Sequence, residues 1–142
     1  MKVASLEVSK KLVALDSALV GETHFIHARQ VSWDGYTKEE YAVMPRDSAT
    51  VGIWESFPAP TACELGELLP EICQYWTSTT YEPVEKVIRW VVHFTYRDPA
   101  NNLRTLNHRE SADTEADSRG LMLVWLKENG HLEDGEWTLK RL

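Results

Sequence analysis

The segment Lys86–Arg97 alternates between two kinds of side chain, and this pattern limits the possible folds more than any other feature of the sequence. Every second residue is apolar or aromatic, namely Ile88, Trp90, Val92, Phe94 and Tyr96. A period of two is typical of a β-strand that buries one face. Turn-forming residues follow at Asp98–Asn102, and Leu103–Glu110 has the composition of a returning strand. The pattern therefore predicts an antiparallel hairpin whose apolar face packs on the last helix.

A hairpin loop of residues 98–102 would place His93 opposite Asn107 and collect polar side chains on one face. That face would carry Arg89, His93, Arg97, Thr105, Asn107 and Arg109. Because arginine forks match the geometry of carboxylate and phosphate groups, the face is a candidate site for an anionic ligand or an acidic partner segment. The alternative is that the face only meets solvent, since an amphipathic sheet places polar residues on its outer side.

Apolar spacing and capping residues predict two helices in the first half of the chain. Apolar residues recur at intervals of three and four over residues 4–19, which predicts an amphipathic helix that ends within residues 16–21. Thr61 and Glu64 fit a capping box, in which each side chain bonds a backbone N–H of the same helix start. A short helix over residues 62–69 is therefore expected.

A third helix is predicted to begin at Ser111 or Asp113 and to run to Asn129. Acidic side chains in or beside its first turn complement the helix dipole, and Gly130 suits the left-handed position after the last turn. Two further strands are expected, at Thr23–Trp33 and at Ala49–Glu55. Between them, Tyr41–Asp47 is expected to be either a short strand or an ordered loop.

The order of these elements predicts the α+β class, with one antiparallel β-sheet covered by about three helices. The expected sequence of elements is α-β-β-α-β-β-α, with a possible short strand near the C-terminus. The length of 142 residues suits a single domain spanning residues 1–142.

The charge of the chain excludes several classes of partner. Fifteen Lys and Arg against 22 Asp and Glu give a net charge of -7, and a field of that sign repels nucleic-acid phosphates and anionic lipid. No direct nucleic-acid or membrane partner is therefore expected. The sequence also shows no long apolar run and no apolar signal segment, which favours a cytoplasmic protein. In that compartment Cys63 and Cys73 are expected to stay reduced, and both are expected to be buried.

No catalytic motif is recognisable in the sequence. It contains no Gly-x-Ser-x-Gly elbow and no glycine-rich phosphate loop. His24 and His27 are three residues apart on a predicted strand, so their side chains would point to opposite faces and could not hold one metal ion. The chain is therefore predicted to be neither an enzyme nor a metal or cofactor binder.

Three segments resemble a set of small bacteriophage and prophage proteins with no assigned activity. They are Ser5–Leu12, the stretch Ala59–Pro70 with its Glu64-Leu65-Gly66-Glu67-Leu68-Leu69-Pro70 run, and the stretch from Ala112 to Gly130 that opens Ala-Asp-Thr-Glu-Ala-Asp-Ser-Arg. The chain departs from those proteins after Leu15 and continues past the point where many of them stop. The resemblance implies an accessory protein of a phage or prophage.

Two functional hypotheses follow. The first is a non-catalytic protein that binds a basic partner, such as a host nucleic-acid-binding or defence protein, through an acidic, tryptophan-rich surface. Its candidate contact residues are Asp113, Glu115, Asp117, Glu133, Asp134, Trp33, Tyr36 and Tyr41. The second is a small-ligand binder that holds a nucleotide or another anion on the Arg89, His93, Arg97, Asn107 and Arg109 face.

Overall fold

A computed structural model describes residues 3–15, 23–31, 40–48, 53–97 and 105–132, without the side chains of Ile53, Arg97 and Thr105. In these segments the chain forms three α-helices, a short 3-10 helix at Arg46–Ser48 and two separate three-stranded antiparallel sheets. The α+β class is therefore confirmed, whereas the expectation of a single sheet is wrong.

The first sheet has the strand order β2-β1-β3. Its strands are β1 (Phe25–Val31), β2 (Ala42–Pro45) and β3 (Ile53–Pro58). The predicted strand at 23–33 is confirmed over β1, and the segment around Met44 is a short strand rather than a loop. β3 continues to Pro58, beyond the predicted end at Glu55, because its residues pair with β1 as far as Ile26.

The second sheet has the order β4-β5-β6. Its strands are β4 (Gln74–Tyr81), β5 (Lys86–Arg97) and β6 (Thr105–Ala112). The boundaries of β5 match the predicted alternation, but the register of the hairpin does not. His93 lies opposite Arg109 instead of Asn107, because the connection spans residues 98–104 rather than 98–102. This shift of two residues leaves every side chain on its predicted face, since strand faces repeat every two residues.

The helices are α1 (Leu6–Leu15), α2 (Ala62–Leu68) and α3 (Glu115–Glu128). The capping box at Thr61 is confirmed, with the hydroxyl accepting from Glu64 N at 3.1 Å and the Glu64 carboxylate accepting from Thr61 N at 3.0 Å. α3 begins later than predicted, after an N-cap at Thr114, because β6 extends to Ala112 by pairing with Trp90.

The end of α3 is fixed by its backbone. Gly130 has a φ of 69°, the left-handed conformation that was predicted for it. His131 N donates to Leu126 O at 2.9 Å and Gly130 N to Lys127 O at 3.2 Å. This pair of bonds is the Schellman arrangement, and it satisfies carbonyls that the last turn would otherwise leave open.

α3 lies at the centre of the core, in contact with α1, α2, β5 and β6. Its apolar residues Ala116, Leu123, Val124 and Leu126 are all buried. Across the interface β5 contributes Val92 and Phe94, which are 1% and 0% exposed. Trp90 is only half-buried and Ile88 is 48% exposed, so the predicted apolar face is fully buried only at Val92 and Phe94.

None of the helices in the described segments is long and apolar enough to cross a membrane.

Candidate binding face on the second sheet

The second sheet has one face against α3 and one face turned away from it. Pairing of β4 with β5 and of β5 with β6 fixes which side chains share the outer face. We call this surface the open face and define it by Trp76, Arg89, His93, Asn107 and Arg109. It contains four of the five residues predicted for an anion site, together with one aromatic residue that sequence reasoning did not assign to it.

Trp76 lies on the edge strand β4 and contacts two basic side chains of the open face. The imidazole of His93 meets the indole edge to face, with ring centroids 5.7 Å apart. The guanidinium of Arg109 lies over the same indole at 5.1 Å from its centroid, within the range of a cation–π contact. Val91, which pairs directly with Trp76, is only 5% exposed. Two basic side chains, those of His93 and Arg109, therefore contact the same indole ring.

His93 is held by side-chain hydrogen bonds to β6 and to its own strand, β5. Its Nε2 atom bonds Asn107 Oδ1, and Thr95 Oγ1 lies 3.3 Å from the same nitrogen. Because an amide oxygen can only accept, Nε2 carries the hydrogen and donates it. Asn107 and Arg109 are both exposed, so this fixed arrangement is accessible from solvent.

Arg89 is paired with an acidic residue of the same chain. Its Nη1 atom lies 3.4 Å from Asp113 Oδ1, and the two side chains are 43% and 83% exposed. This contact joins the predicted basic face to the predicted acidic surface. An ion pair so exposed contributes little stability, so its carboxylate can be exchanged for another at small cost. Arg97 ends β5, but its side chain lies outside the described ones.

Two further acids predicted for a partner surface, Glu115 and Asp117, also have intramolecular partners. Glu115 Oε1 accepts from Arg119 Nη2 at 2.6 Å. Asp117 Oδ1 accepts from Ser5 N at 2.6 Å, which ties the start of α1 to α3. These carboxylates therefore stabilise the fold at the start of α3. Glu133 and Asp134 lie outside the described residues.

Of the aromatic candidates, Tyr41 is described, whereas Trp33 and Tyr36 lie outside the described residues. Tyr41 packs against Phe57 with ring centroids 6.0 Å apart, and Arg29 lies over its ring at 4.7 Å. Burial raises the pKa of Tyr41, and the neighbouring Glu55 carboxylate adds to the effect. Glu55 itself has a lowered pKa, because it accepts a hydrogen bond from Arg29 at 2.7 Å. Tyr41 thus belongs to a packed cluster between β1 and β3.

Packing inside the fold engages His27, His108 and Cys73, whereas the imidazole of His24 is exposed. His27 is buried, with Nε2 donating to Ala4 O at 2.7 Å. His108 stacks on Trp125 at 3.8 Å between centroids, and its Nε2 bonds Glu110 Oε1 at 2.7 Å. Both cysteines are free, and burial raises the pKa of Cys73 to about 11. The expectation that both are buried is wrong for Cys63, which is exposed. No group of three or more His, Cys, Asp or Glu in the described part of the chain is placed to hold a metal ion.

Two residues that matter for the structure were not singled out from the sequence. Trp76 lies on β4, a strand that the sequence patterns do not predict. Arg119 bonds Ala62 O at 2.6 Å and lies over the ring of Tyr75 at 4.5 Å, so it connects α3 with α2 and β4. Its position one helical turn after Glu115 was the available signal for the ion pair.

No protein-family model, no curated protein and no solved structure matches this chain. The resemblance to phage proteins therefore stays a prediction, and function has to be inferred from the geometry of the open face.

Proposed function

We propose that this chain is a non-catalytic binding protein whose open face recognises a carboxylate-rich segment of another protein. The observation that carries this proposal is the grouping of Trp76, Arg109, His93 and Asn107 on one exposed surface. Tryptophan and arginine are the residue types most enriched at energetically dominant positions of protein interfaces. The role is therefore that of a binding module.

The form of the surface favours a protein segment over a small molecule. Small-ligand sites are concave and bury most of the ligand. The open face lies on the outer side of a sheet, and Asn107, Arg109, Thr95 and Ser111 are all exposed on it. A surface of this kind can contact an extended chain over several residues, whereas it encloses no small ligand.

The charge of the surface favours an acidic partner. The net charge of the protein is -7, but the open face presents the guanidinium groups of Arg109 and Arg89. This face is therefore locally basic on an acidic protein. A partner carboxylate can accept from Arg109, and a second one can replace Asp113 on Arg89. Charge-assisted hydrogen bonds of this kind are roughly twice as strong as neutral ones.

The proposal keeps the first functional hypothesis that this chain is a non-catalytic protein that binds another protein. It places the contact on the basic open face instead of an acidic surface, and the expected partner is acidic instead of basic. Glu115 and Asp117 are engaged by Arg119 and Ser5, which weakens the case for an acidic contact surface. We further propose that the protein acts in the cytoplasm, which its free cysteines support. A phage or prophage origin remains part of the hypothesis, but the geometry of the open face is independent of it.

Isothermal titration calorimetry with an oligoglutamate peptide tests the proposal. The wild-type chain should bind the peptide, and binding should weaken as salt is added. Arg109→Ala should reduce the affinity at least about tenfold, since a hydrogen bond to a charged group contributes about 1.5–3 kcal/mol. Arg109→Lys should fall between the two, because lysine keeps the charge and loses the fork.

Lys11→Ala is the matched control, because it removes one positive charge from α1, away from the second sheet, and breaks only an exposed pair with Glu7. Equal losses in Lys11→Ala and Arg109→Ala would show that only net charge matters and would contradict the assignment of the face. Binding of inorganic phosphate without binding of the peptide would instead support the small-anion alternative.

A further inference from the structure

β4 has the sequence Gln-Tyr-Trp-Thr-Ser-Thr-Thr-Tyr and forms one edge of the second sheet. In the described part of the chain no strand pairs with its outer side. Residues 72–81 are also the longest stretch of the sequence without an acidic or basic side chain. None of the eight residues of β4 is buried.

An exposed strand edge normally carries features that prevent it from pairing with another chain. Charged side chains, prolines and bulges are the common ones. β4 has no charged residue and no proline, whereas the opposite edge strand β6 carries Arg109 and Glu110. The unprotected edge is therefore specific to β4, and it offers unpaired backbone groups along a strand of high β-propensity.

The exposed apolar side chains around β4 are arranged symmetrically about Ser78. Tyr75 and Tyr81 lie three residues on either side of it, and Ile72 and Val84 lie six residues on either side, all four exposed. A two-fold interface needs this kind of self-complementarity, because each residue i meets j while j meets i. An edge that received a strand of a different protein would need no such symmetry.

We propose that β4 pairs antiparallel with β4 of a second copy of this chain, about a two-fold axis at Ser78. In this register Ser78 faces Ser78 of the other copy, Tyr75 faces Tyr81, and Trp76 faces Thr80. Each pair lies on one face of the sheet, because all pairs join residues of the same parity. The two sheets become one of six strands, and their open faces become continuous.

The absence of charge makes a second copy the favoured occupant. Two chains of net charge -7 repel one another, so their association is favoured at a surface that brings no like charges together. The strand Gln74–Tyr81 satisfies that condition along its whole length. The inference is independent of what the open face binds.

Sedimentation equilibrium of the full chain tests the proposal. The mass should rise from 16.3 kDa toward twice that value as the concentration increases. Ser78→Lys should abolish this rise, because it places two like charges opposite each other at the axis. Ser111→Lys is the matched control: it adds the same charge to an exposed position on the opposite edge strand and should leave dimerisation unchanged.

Cysteine cross-linking tests the register separately from stability. In a Cys63→Ser background, Ser78→Cys should form an intermolecular disulfide with oxidised glutathione, since directly paired Cα atoms lie about 4.5–5.5 Å apart. Thr80→Cys should not, because its two copies would be about 13 Å apart along the strands. A mass of 16.3 kDa at every concentration would overturn the proposal. So would a dimer that Ser78→Lys leaves intact.

Discussion

Val8 of α1 lies so close to Gly120 of α3 that a Cβ atom added at Gly120 would be 2.5 Å from Val8 Cγ1. The two helices therefore meet at a position where only hydrogen fits. Leu12 and Leu65 lie 3.7 and 3.8 Å from the same point, so α1, α2 and α3 converge on this glycine.

Gly120→Ala should lower the free energy of unfolding. Overpacking a core costs about 1–3 kcal/mol, which exceeds the gain of about 0.8–1.0 kcal/mol from replacing glycine in a helix. Urea denaturation measures the difference. Combining the change with Val8→Ala should cost less than the sum of the single variants, because removing the valine methyl groups frees the space. A Gly120→Ala protein more stable than wild type would contradict the close contact.

Much of the fold follows from local patterns in the sequence. The alternation of Lys86–Arg97 gave the correct boundaries of β5, and the capping box at Thr61 and the left-handed Gly130 were recognised from single residues. These features are local, because each depends on side chains within a few residues of one another.

The predictions that were wrong concern features that depend on contacts between segments far apart in the sequence. A hairpin register shifted by two residues places the same side chains on the same faces, so the alternation cannot distinguish a loop of 98–102 from one of 98–104. β4 was not predicted because its polar threonines and serine do not mark a buried face. The sequence of any single strand likewise does not show that the six described strands divide into two sheets.

The candidate site was predicted in part for the same reason. The basic residues of β5 and β6 share a face by alternation alone, which the sequence shows. Trp76 joins them only through the pairing of β4 with β5. Glu115 and Asp117 lie in the first turn of α3, as the sequence predicts. The partners of Asp117 and Asp113, which are Ser5 and Arg89, are far away in the sequence. The spacing of residues along the sequence does not predict contacts between residues that are so far apart.

Arg119→Lys should destabilise the protein, because one ammonium group cannot replace the fork that bonds Ala62 O and Glu115 Oε1 at 2.6 Å each. The loss should be about 1.5–3 kcal/mol, the contribution of a hydrogen bond to a charged group. Urea denaturation is again suitable, since urea does not screen charge. Lys11→Ala, which breaks an exposed i,i+4 pair, should change the midpoint little.

Gly66 provides an independent check on the position of Arg119. A Cβ atom at Gly66 would lie 2.5 Å from Arg119 Nη1. Gly66→Ala should therefore disturb the same contact, and its effect should shrink in an Arg119→Ala background. Additive effects of the two substitutions would show that the guanidinium does not lie against α2.

The two cysteines should differ in reactivity toward iodoacetamide. Cys63 is exposed near the start of α2, whereas Cys73 is buried and its pKa is raised to about 11 by desolvation. The thiolate is the reactive form, so Cys73 should react only after unfolding. Mass spectrometry of the folded protein should find one modified cysteine, and Cys63→Ser should remove that modification. Rapid labelling of Cys73 in the folded Cys63→Ser protein would contradict its burial.

Stability should decrease as the pH falls, in part because of His131. Burial lowers the pKa of His131, whose ring lies 5.0 Å from that of Trp125. The folded protein thus favours the neutral imidazole, while the unfolded chain takes up a proton near the ordinary pKa of about 6.5. The resulting stabilisation is present above that value and is lost as the pH falls toward the lower pKa of the folded state.

His131→Gln should flatten this dependence, because glutamine has no proton to gain. The measurement is the thermal midpoint between about pH 7.5 and pH 5, a range that spans the ordinary pKa of histidine. His108 also contacts Trp125 and bonds Glu110, so His108→Gln must be measured beside it to separate the two rings. His24→Gln removes an exposed imidazole and is the matched control. If His131→Gln and His24→Gln reduced the slope equally, burial of His131 would not be its cause.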